Sequence, residues 1–321
     1  MAKAFVAESE SFGMGTIMTH RAFGEHAEES LHAIRREATR LESLMSRFVP
    51  GSEISAINRS AGISCERLSA DTYEVLSHAA EFSSVCQGLF DVTIGPLVDL
   101  WSIGRGASSP PEDSKIRRVL SLVGYTDLVL DPNERAAGLR RAGQSIDLGG
   151  IGKGYAGDRF VQVFRDHDVT SAFANIGGNV VALGTRPDGT DWRIGIQHPR
   201  QEGSLIGLVS VADKAVVTSG DYQRYFIDRH GRRRHHILDP STGYPADSGL
   251  VSATIVADSS VIADALSTAV FVAGMNRGLG FIRRFPRAEA VLVDVELSVH
   301  VTEGLKNCFL AAEGRSVNVI R

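Results

Sequence analysis

Seven short apolar segments in the second half of the chain constrain the fold more than any other feature. Turn-forming Gly, Pro and Asp residues separate these segments, which occupy residues 172–176, 180–183, 192–197, 205–211, 222–228, 235–238 and 251–256. Closely spaced strands of this length pair with their neighbours along the chain, as in an antiparallel or mixed sheet. The pattern therefore predicts a sheet across residues 172–256.

Helical periodicity flanks the predicted sheet on both sides. Apolar side chains recur at helical spacing in residues 25–48, and Ser69 begins a second helix that runs to about residue 85. Further helices are predicted at 153–166, 261–273 and 276–285. Further strands are predicted at 12–23, 127–130, 138–141 and 146–148, with a closing hairpin. The prediction is an α+β fold of one domain, residues 12–315, in which two interlocked lobes with mixed or antiparallel sheets enclose a cleft.

Composition places the chain among soluble globular proteins. Of its 321 residues, 43% are hydrophobic and 22% are charged, and the formal net charge is −4. A slightly acidic chain has no long-range attraction for nucleic acid or anionic membranes, so neither partner is expected. Cys65, Cys86 and Cys308 are isolated and odd in number, which argues against a disulfide framework or a thiolate zinc site.

Two features of the sequence bear on its compartment. No uninterrupted apolar run approaches the ~18 residues of a membrane span, so none is expected. Residues 1–11 contain one lysine, two glutamates and no hydrophobic region of a signal peptide. The sequence as written is expected in the cytoplasm. The alternative is a periplasmic protein or a membrane-anchored lipoprotein from which a leader has been removed.

A glycine-rich turn lies between the predicted strand at 146–148 and the following helix. Gly152, Gly154 and Gly157 fit the spacing G-x-G-x-x-G, in which glycines let backbone amides and a helix N-terminus approach a pyrophosphate. The flanking sequence lacks the repeated βαβ pattern of a dinucleotide fold, and the glycines would equally shape a tight turn. Lys153 in this turn faces either a phosphate or solvent.

The predicted helix at 261–273 carries a few polar residues among apolar ones. Asp264 and Thr268 are four positions apart and share one face, and Ser267 lies beside them. Carboxylate and hydroxyl oxygens suit a hard cation such as Mg²⁺, which also binds phosphate oxygens and water. In the structural alternative, Asp264 interacts with the helix dipole and Thr268 bonds to its own helix.

Arginines and histidines are concentrated near a predicted hairpin tip at His230 and Gly231. Residues 232–236 are Arg-Arg-Arg-His-His. Charges at a tip are usually solvated, and the histidines lack metal-site spacing, so a nucleic-acid site and a zinc site are both disfavoured. Strand alternation places His235 and His236 on opposite faces, which leaves one imidazole free to face a cleft.

Eight segments occur in the same order as in the FAD:protein FMN transferases, the ApbE-type flavin transferases, and the chain resembles this family along nearly its whole length. These segments are residues 14–16, 44–48 with 52–54, 90–98, 147–154, 175–178, 218–222, 236–240 with 242–243, and 263–268. Each segment alone would be weak, but eight in family order form a specific pattern. The resemblance implies one transferase domain with an FAD cleft at its centre.

The resemblance also implies which residues bind. The implied FAD-site residues are Met14, Phe48, Leu89, Phe90, Asp91, Asp147, Lys153 and Leu238. The implied Mg²⁺ site comprises Asp264, Thr268, a backbone oxygen of Gly150, and Ser267. Phe48 stands where the family often has a tyrosine, so a ring remains for stacking but the phenolic hydrogen bond is lost. The aspartates would equally cap turns, and the apolar residues would equally be core.

The reaction that the resemblance implies is Mg²⁺-dependent transfer of the FMN moiety of FAD to a threonine hydroxyl, with release of AMP. The implied partner is an acceptor flavoprotein with a short motif that ends in Ser/Thr-Gly-Ala-Thr. His236 is the first candidate for the base that takes the hydroxyl proton, ahead of Asp239 and Asp221.

Other functions stay open from the sequence. An FAD pyrophosphatase of the same fold would use water in place of threonine and yield FMN and AMP. A non-catalytic FAD-binding protein would release no AMP. A nicotinamide enzyme, suggested by the glycine turn alone, would bind NAD.

Overall fold

A nine-stranded sheet is the centre of the structure, a computed structural model that describes residues 5–320. The strands in chain order are β1 (Val6–Gly13), β2 (Thr16–Phe23), β3 (Glu66–Arg67), β4 (Leu128–Asp131), β5 (Ala136–Leu139), β6 (Ser171–Ile176), β7 (Asn179–Leu183), β8 (Trp192–Gln197), β9 (Leu205–Val211), β10 (Lys214–Gly220), β11 (Tyr225–Ile227), β12 (Arg233–His235), β13 (Leu250–Ala257), β14 (Glu289–Asp294), β15 (Val299–Thr302), β16 (Phe309–Ala311) and β17 (Val317–Ile320).

The order of strands in the main sheet is β1-β2-β6-β7-β10-β13-β14-β15-β17. Neighbours are antiparallel, except that β15 and β17 are parallel. Smaller sheets are formed by β3-β5-β4, by β16-β9-β8 and by β11-β12. The predicted α+β class with mixed and antiparallel sheets is therefore confirmed.

Three of the helices cover one face of the main sheet. The helices in chain order are α1 (Ala27–Met45), α2 (Glu53–Arg59), α3 (Ala70–Val85), α4 (Gly95–Trp101), α5 (Asp113–Leu120), α6 (Gly152–Asp166) and α7 (Ser260–Ile282). Helix α1 buries Leu31, Ile34 and Leu41 at the predicted spacing, and α1, α6 and α7 form one layer on the sheet. The opposite face packs against β8 and β9, where Trp192 joins a valine-rich second core.

Two glycines allow α6 and α7 to approach unusually closely. A β-carbon at Gly154 would lie 2.5 Å from the Ser260 carbonyl oxygen, and one at Gly157 would lie 2.6 Å from the Ser260 hydroxyl. Real β-carbons do not come so near, because atoms at that distance overlap. At these positions the G-x-G-x-x-G spacing therefore serves helix packing.

The predicted strand at 12–23 is wrong in one respect, because it is two strands. Met14 and Gly15 have positive φ angles of 52° and 72°, and they reverse the chain between β1 and β2.

The predicted strand at 146–148 does not form. Its amides bond elsewhere: Ile146 donates to the Asn58 side chain at 2.6 Å and Asp147 donates to the Val92 carbonyl oxygen at 2.8 Å.

The hairpin region differs from its prediction in extent. Strand β10 is absent from the seven predicted segments, yet it pairs with β13 and β7. Strands β11 and β12 are shorter than predicted, and β12 ends at His235. The closing hairpin of β14 and β15 is present, and β17 extends the sheet beyond it.

The two helices predicted at 261–273 and 276–285 are joined as α7, with a kink at Gly274, where φ is 75°. By length and composition alone, the joined helix α7 could cross a membrane, whereas each of the two predicted helices is too short to do so. Most of it is buried inside the protein, against β10 and β13. A core helix has the same properties, so α7 is weak evidence for a membrane span.

His20 is a buried ionisable residue in the helix-covered face of β2. Its side chain is 4% exposed, its ring meets Phe160 of α6 edge-on, and neither ring nitrogen has a hydrogen-bond partner within residues 5–320. Burial lowers the pKa of His20 to about 4. The folded state therefore holds His20 neutral, whereas the unfolded chain binds a proton below about pH 6.5.

We expect His20 to make folding stability fall on acidification. Its contribution is fully present above the unfolded pKa and is lost as the pH falls toward the folded pKa. The expected loss is about 2 kcal/mol of unfolding free energy between about pH 7 and about pH 5. Urea unfolding at both pH values should show that His20→Leu loses less unfolding free energy on acidification than the wild type. The control His32→Leu, at an exposed position, should lose as much as the wild type. Equal losses in all three proteins would contradict this role.

Candidate functional site

Three segments converge at the start of α6: the turn before this helix, the middle of α7 and the end of β10. The Ser219 hydroxyl of β10 lies 2.9 Å from the Ser267 hydroxyl and 3.2 Å from the Thr268 hydroxyl. Gly150 faces the same group, since a β-carbon there would lie 3.3 Å from Thr268 Oγ1. The structure thus brings three predicted metal-site residues together. It adds Ser219, which the sequence offered only as part of the segment 218–222.

Asp264 completes this group from one turn earlier in α7. Its side chain is 3% exposed, and one carboxylate oxygen accepts a hydrogen bond from the Gly154 amide at 2.8 Å. In the part of the chain that the structure describes, no Lys, Arg or His side chain pairs with it. A buried carboxylate without a counter-charge is costly. The site therefore favours a bound cation.

The structural alternatives for Asp264 and Thr268 are not supported by their contacts. Asp158 of α6 accepts hydrogen bonds from the first two amides of α7 at 2.6 and 3.0 Å, and Ser259 caps the third. Asp264 lies beyond these capped amides, where the attraction of the helix dipole has declined. Thr268 contacts Ser219 of β10, a different element. Both side chains therefore contact elements other than their own helix.

The oxygen atoms at this site suit a magnesium ion. Within residues 5–320, no group of three or more His, Cys, Asp or Glu side chains is placed to hold a metal ion. Magnesium usually binds through one or two carboxylates, while substrate phosphates and water fill its other positions. A carboxylate with nearby hydroxyls matches that pattern.

The turn before α6 is held by hydrogen bonds and an ion pair. The Asp147 carboxylate accepts a hydrogen bond from the Gly149 amide at 2.8 Å and pairs with Arg47 at 3.0 Å. Lys153 donates to the Gly149 carbonyl oxygen at 3.2 Å. Asp147 thus shapes the turn, and Lys153 adds positive charge at a helix N-terminus, where backbone amides already attract anions.

Phe48 presents an exposed aromatic ring beside this ion pair. The residue is 66% exposed, and the guanidinium groups of Arg47 and Arg105 each lie 5.5 Å from the ring centroid. Asp99 pairs with both arginines and links them. The ring is thereby held in place while part of its surface stays open for stacking against another flat ring.

The apolar residues of the predicted flavin site differ in position. Leu89 and Phe90 are buried in the main core, and a β-carbon at Gly150 would lie 3.2 Å from the Phe90 ring. Leu238 belongs to a separate small core formed with α4 and α5. Met14 lies partly exposed in the turn between β1 and β2. Phe90 therefore supports the metal-site turn from within, and contact of these residues with FAD stays a prediction.

Asp91 has a clear structural environment. Its carboxylate accepts three hydrogen bonds, from the Thr93 amide, the Thr93 hydroxyl and the Tyr125 amide, each at 2.7 Å. Burial raises the pKa of Asp91, and these hydrogen bonds oppose the rise. The carboxylate joins two loops, as its turn-capping alternative predicts. Contact between Asp91 and FAD also stays a prediction.

His235 and His236 face different environments, as strand alternation predicted. The His235 ring is buried, meets Phe271 of α7 edge-on and has Nε2 3.0 Å from the Ala246 carbonyl oxygen. The His236 ring stays partly exposed, with Nδ1 3.3 Å from the Arg224 carbonyl oxygen. Because a carbonyl oxygen only accepts, Nδ1 carries the proton in this contact and Nε2 keeps its lone pair.

The surroundings of His236 favour the neutral imidazole. Burial lowers the pKa of His236 to about 3, and the positive charges of Arg224 and, more weakly, His235 and Lys153 act in the same direction. The ring is neutral at neutral pH, as a proton acceptor must be.

The other two predicted bases are engaged by their own surroundings. Asp221 forms a two-point ion pair with Arg200, with oxygen–nitrogen distances of 2.6 and 2.7 Å. Asp239 Oδ1 accepts hydrogen bonds from the Ser241 amide at 2.8 Å and the Ser241 hydroxyl at 2.6 Å. Both carboxylates thus already have hydrogen-bond partners in their own surroundings.

Comparisons with known proteins agree with the resemblance in the sequence. The model of the ApbE family matches residues 14–292. An FAD:protein FMN transferase from Klebsiella pneumoniae is 36% identical over 255 residues, which cover 79% of this chain and 78% of the relative. One from Treponema pallidum is 31% identical over 322 residues and covers 95% of this chain and 89% of the relative.

A solved structure shares the fold. The crystal structure of an ApbE protein from Thermotoga maritima superimposes with a TM-score of 0.86 at 33% identity and covers 95% of this chain and 99% of the other. The family model spans most of the sequence, and the fold and the relatives agree with it, so the chain belongs to the ApbE family.

Proposed function

We propose that this chain transfers the FMN moiety of FAD to a hydroxyl group of an acceptor protein and releases AMP. Membership of the ApbE family and the names of the relatives support this activity. The observation that carries the proposal is the buried Asp264 carboxylate, which lies among hydroxyls and has no cationic partner in the described residues. A divalent cation and phosphate oxygens would complete such a site, and a reaction at a pyrophosphate brings both.

Asp264, Thr268 and a backbone oxygen of Gly150 would hold Mg²⁺. Ser267 and Ser219 support Thr268 through the hydroxyl contacts described above. When bound, Mg²⁺ would neutralise the negative charge that develops on the pyrophosphate during transfer. Lys153 and the N-terminal amides of α6 would bind the phosphates from the side of the protein.

The flavin is proposed to stack on Phe48. Its exposed ring, held by Arg47 and Arg105, lies beside the ion pair between Arg47 and Asp147. Phe90, Leu89 and Leu238 would support the pocket wall from their cores, and Met14 would close its edge. Asp91 and Asp147 would fix the loops on which the pocket is built.

The reaction forms one bond and breaks one. The acceptor hydroxyl oxygen attacks the phosphorus on the FMN side, the bond from that phosphorus to the bridging oxygen breaks, and AMP leaves with the bond electrons. His236 Nε2 would take the hydroxyl proton, since its lone pair is free and Asp221 and Asp239 are engaged. The acceptor is proposed to be a flavoprotein whose threonine ends a Ser/Thr-Gly-Ala-Thr motif.

One assay separates this function from its rivals. The protein is mixed with FAD and Mg²⁺, with and without a protein that carries the motif, and AMP, free FMN and protein-bound FMN are measured. We expect AMP together with acceptor-bound FMN. Free FMN in equal amount with and without acceptor would indicate a pyrophosphatase, and bound FAD without AMP would indicate a carrier. Tighter binding of NAD than of FAD would contradict a flavin site altogether.

We expect Asp264→Asn to abolish AMP release and acceptor labelling while the protein stays folded. Asparagine keeps the shape and can still accept the Gly154 hydrogen bond, but it loses the negative charge. Metal stabilisation of phosphoryl transfer is worth several kcal/mol, so a rate loss on the order of 10³ or more is expected. A charge that merely favoured the helix dipole would contribute about 0.3–1 kcal/mol to stability and nothing to turnover.

The matched control for this variant is Asp258→Asn. Asp258 lies just before α7, is exposed, and pairs with Lys214 and Arg287 on the surface. It should keep its rate and its Mg²⁺ dependence. Calorimetric titration of both variants with Mg²⁺ gives a readout independent of turnover, and unchanged Mg²⁺ binding by Asp264→Asn would remove Asp264 from the metal site.

Variants of the two adjacent histidines should affect different properties, the rate of transfer in one and the stability of the fold in the other. His236→Ala should lower the rate of transfer on the order of 10²–10⁴-fold, with the melting temperature retained. His235→Ala should keep transfer but lose about 1–3 kcal/mol of stability, because it removes a buried ring and its hydrogen bond. Single-turnover kinetics and thermal unfolding measure the two effects. Equal small rate losses in both variants would show that another group takes the proton.

A further inference from the structure

The hairpin of β11 and β12 carries a concentration of positive charge that the proposed chemistry does not use. Residues 224–236, called here the arginine hairpin, contain five arginines and one aspartate, whereas the whole chain has a net charge of −4. The two strands pair antiparallel and form a sheet of their own, outside the nine-stranded sheet. The hairpin therefore forms a small sheet of its own, with Phe226 packed against the small core that contains Leu238.

The turn of this hairpin is ordered by its single aspartate. Asp228 is buried and accepts hydrogen bonds from the His230 amide at 2.9 Å and the Arg232 amide at 3.0 Å. It also pairs with the Arg234 side chain at 2.8 Å. One arginine is thus neutralised locally, and the backbone that carries the others is fixed.

The other four arginines have no carboxylate partner within residues 5–320: Arg224, Arg229, Arg232 and Arg233. Three of them are exposed, and Arg233 stacks on the Tyr225 ring at 3.8 Å. Tyr225 and Ile227 are themselves 43% and 52% exposed. Exposed Tyr and Arg side chains around an apolar residue are typical of the energetically important part of a protein–protein interface.

The arginine hairpin is connected directly to the proposed base. The Arg224 carbonyl oxygen accepts the His236 amide at 3.1 Å and lies 3.3 Å from His236 Nδ1. Arg232 is four residues from His236, and at about 3.3 Å per extended residue the tip lies about 13 Å from the base. An extended segment of a bound protein covers that distance in about four residues.

We propose that the arginine hairpin is the docking surface for the acceptor protein, and that it binds acidic side chains about four residues from the hydroxyl that receives FMN. This inference rests on the proposed function. Unpaired guanidinium groups bind carboxylates in a two-point geometry. The exposed Tyr225 and Ile227 favour a protein partner over a nucleic acid, because a phosphate backbone offers no apolar surface to Ile227.

The test reverses the charge of the two tip arginines in the full chain. Arg229→Glu with Arg232→Glu changes side chains that hold no structural ion pair. The control, Arg35→Glu with Arg36→Glu, makes the same charge change at exposed positions of α1. The probes are two short peptides that contain Ser-Gly-Ala-Thr. About four residues from the threonine, on both sides, one peptide carries a pair of glutamates and the other carries a pair of glutamines.

The wild type should label the glutamate peptide with a KM about tenfold lower than that of the glutamine peptide at low salt, and added salt should reduce the difference. In the tip variant the KM for the glutamate peptide should rise to that for the glutamine peptide, with kcat and FAD affinity unchanged. The control should keep the wild-type preference. Equal use of both peptides by wild type and tip variant would overturn the docking surface.

Peptide binding, measured by fluorescence anisotropy without FAD, separates this inference from the proposed function. A wild type that binds the glutamate peptide through the tip arginines but never labels it contradicts the transferase function and leaves the hairpin an acidic-peptide site. A wild type that labels both peptides equally contradicts docking alone. A single-stranded oligonucleotide that binds more tightly than the glutamate peptide, and loses affinity in the tip variant, would overturn the proposal in favour of nucleic acid.

Discussion

The hydrogen bond from the Gly154 amide to the Asp264 carboxylate couples the two helices on which the candidate site is built. Its 2.8 Å length requires α6 and α7 to approach until their backbones nearly touch. Only glycine permits this at position 154, because a β-carbon would lie 2.6 Å from Asp264 Cβ. The same approach places the N-terminus of α6, with its attraction for anions, beside the hydroxyls of α7. A shift of either helix would separate the two halves of the site.

Asp264 differs from the other buried aspartates in how its charge is satisfied. Asp91 accepts three hydrogen bonds, Asp221 binds Arg200 at two points, and Asp228 combines two amides with Arg234. In the described part of the chain Asp264 has the Gly154 amide and no counter-ion. Such an arrangement lowers the stability of the ligand-free protein, and a ligand that binds the folded state offsets the loss by mass action. The proposed cation would supply the counter-charge that Asp264 lacks among the described residues.

Local patterns predicted much of the fold, and long-range pairings account for what they missed. The spacing of Leu31, Ile34 and Leu41 predicted α1, because burial on one helix face leaves a regular trace in the sequence. The pair of Arg47 and Asp147 joins residues one hundred positions apart, so no local pattern indicates it. Strand β10 pairs with β7 and β13, and its β-branched residues Val216, Val217 and Thr218 are a local signal that the predicted segments left out. For the site, family order supplied the residues, while only the structure shows that Asp221 and Asp239 are engaged elsewhere.

The charges around His236 bear on its proposed role as a base. In the protein alone, burial and the cations Arg224 and Lys153 keep the pKa of His236 at about 3, so the imidazole is neutral but a weak proton acceptor. Under the proposed function, a diphosphate bound at the N-terminus of α6 would place negative charge beside Lys153. Negative charge favours the protonated imidazole and raises its pKa. The basicity of His236 would then increase when FAD is bound, so proton removal from an acceptor hydroxyl would be coupled to the presence of the phosphorus that the hydroxyl attacks.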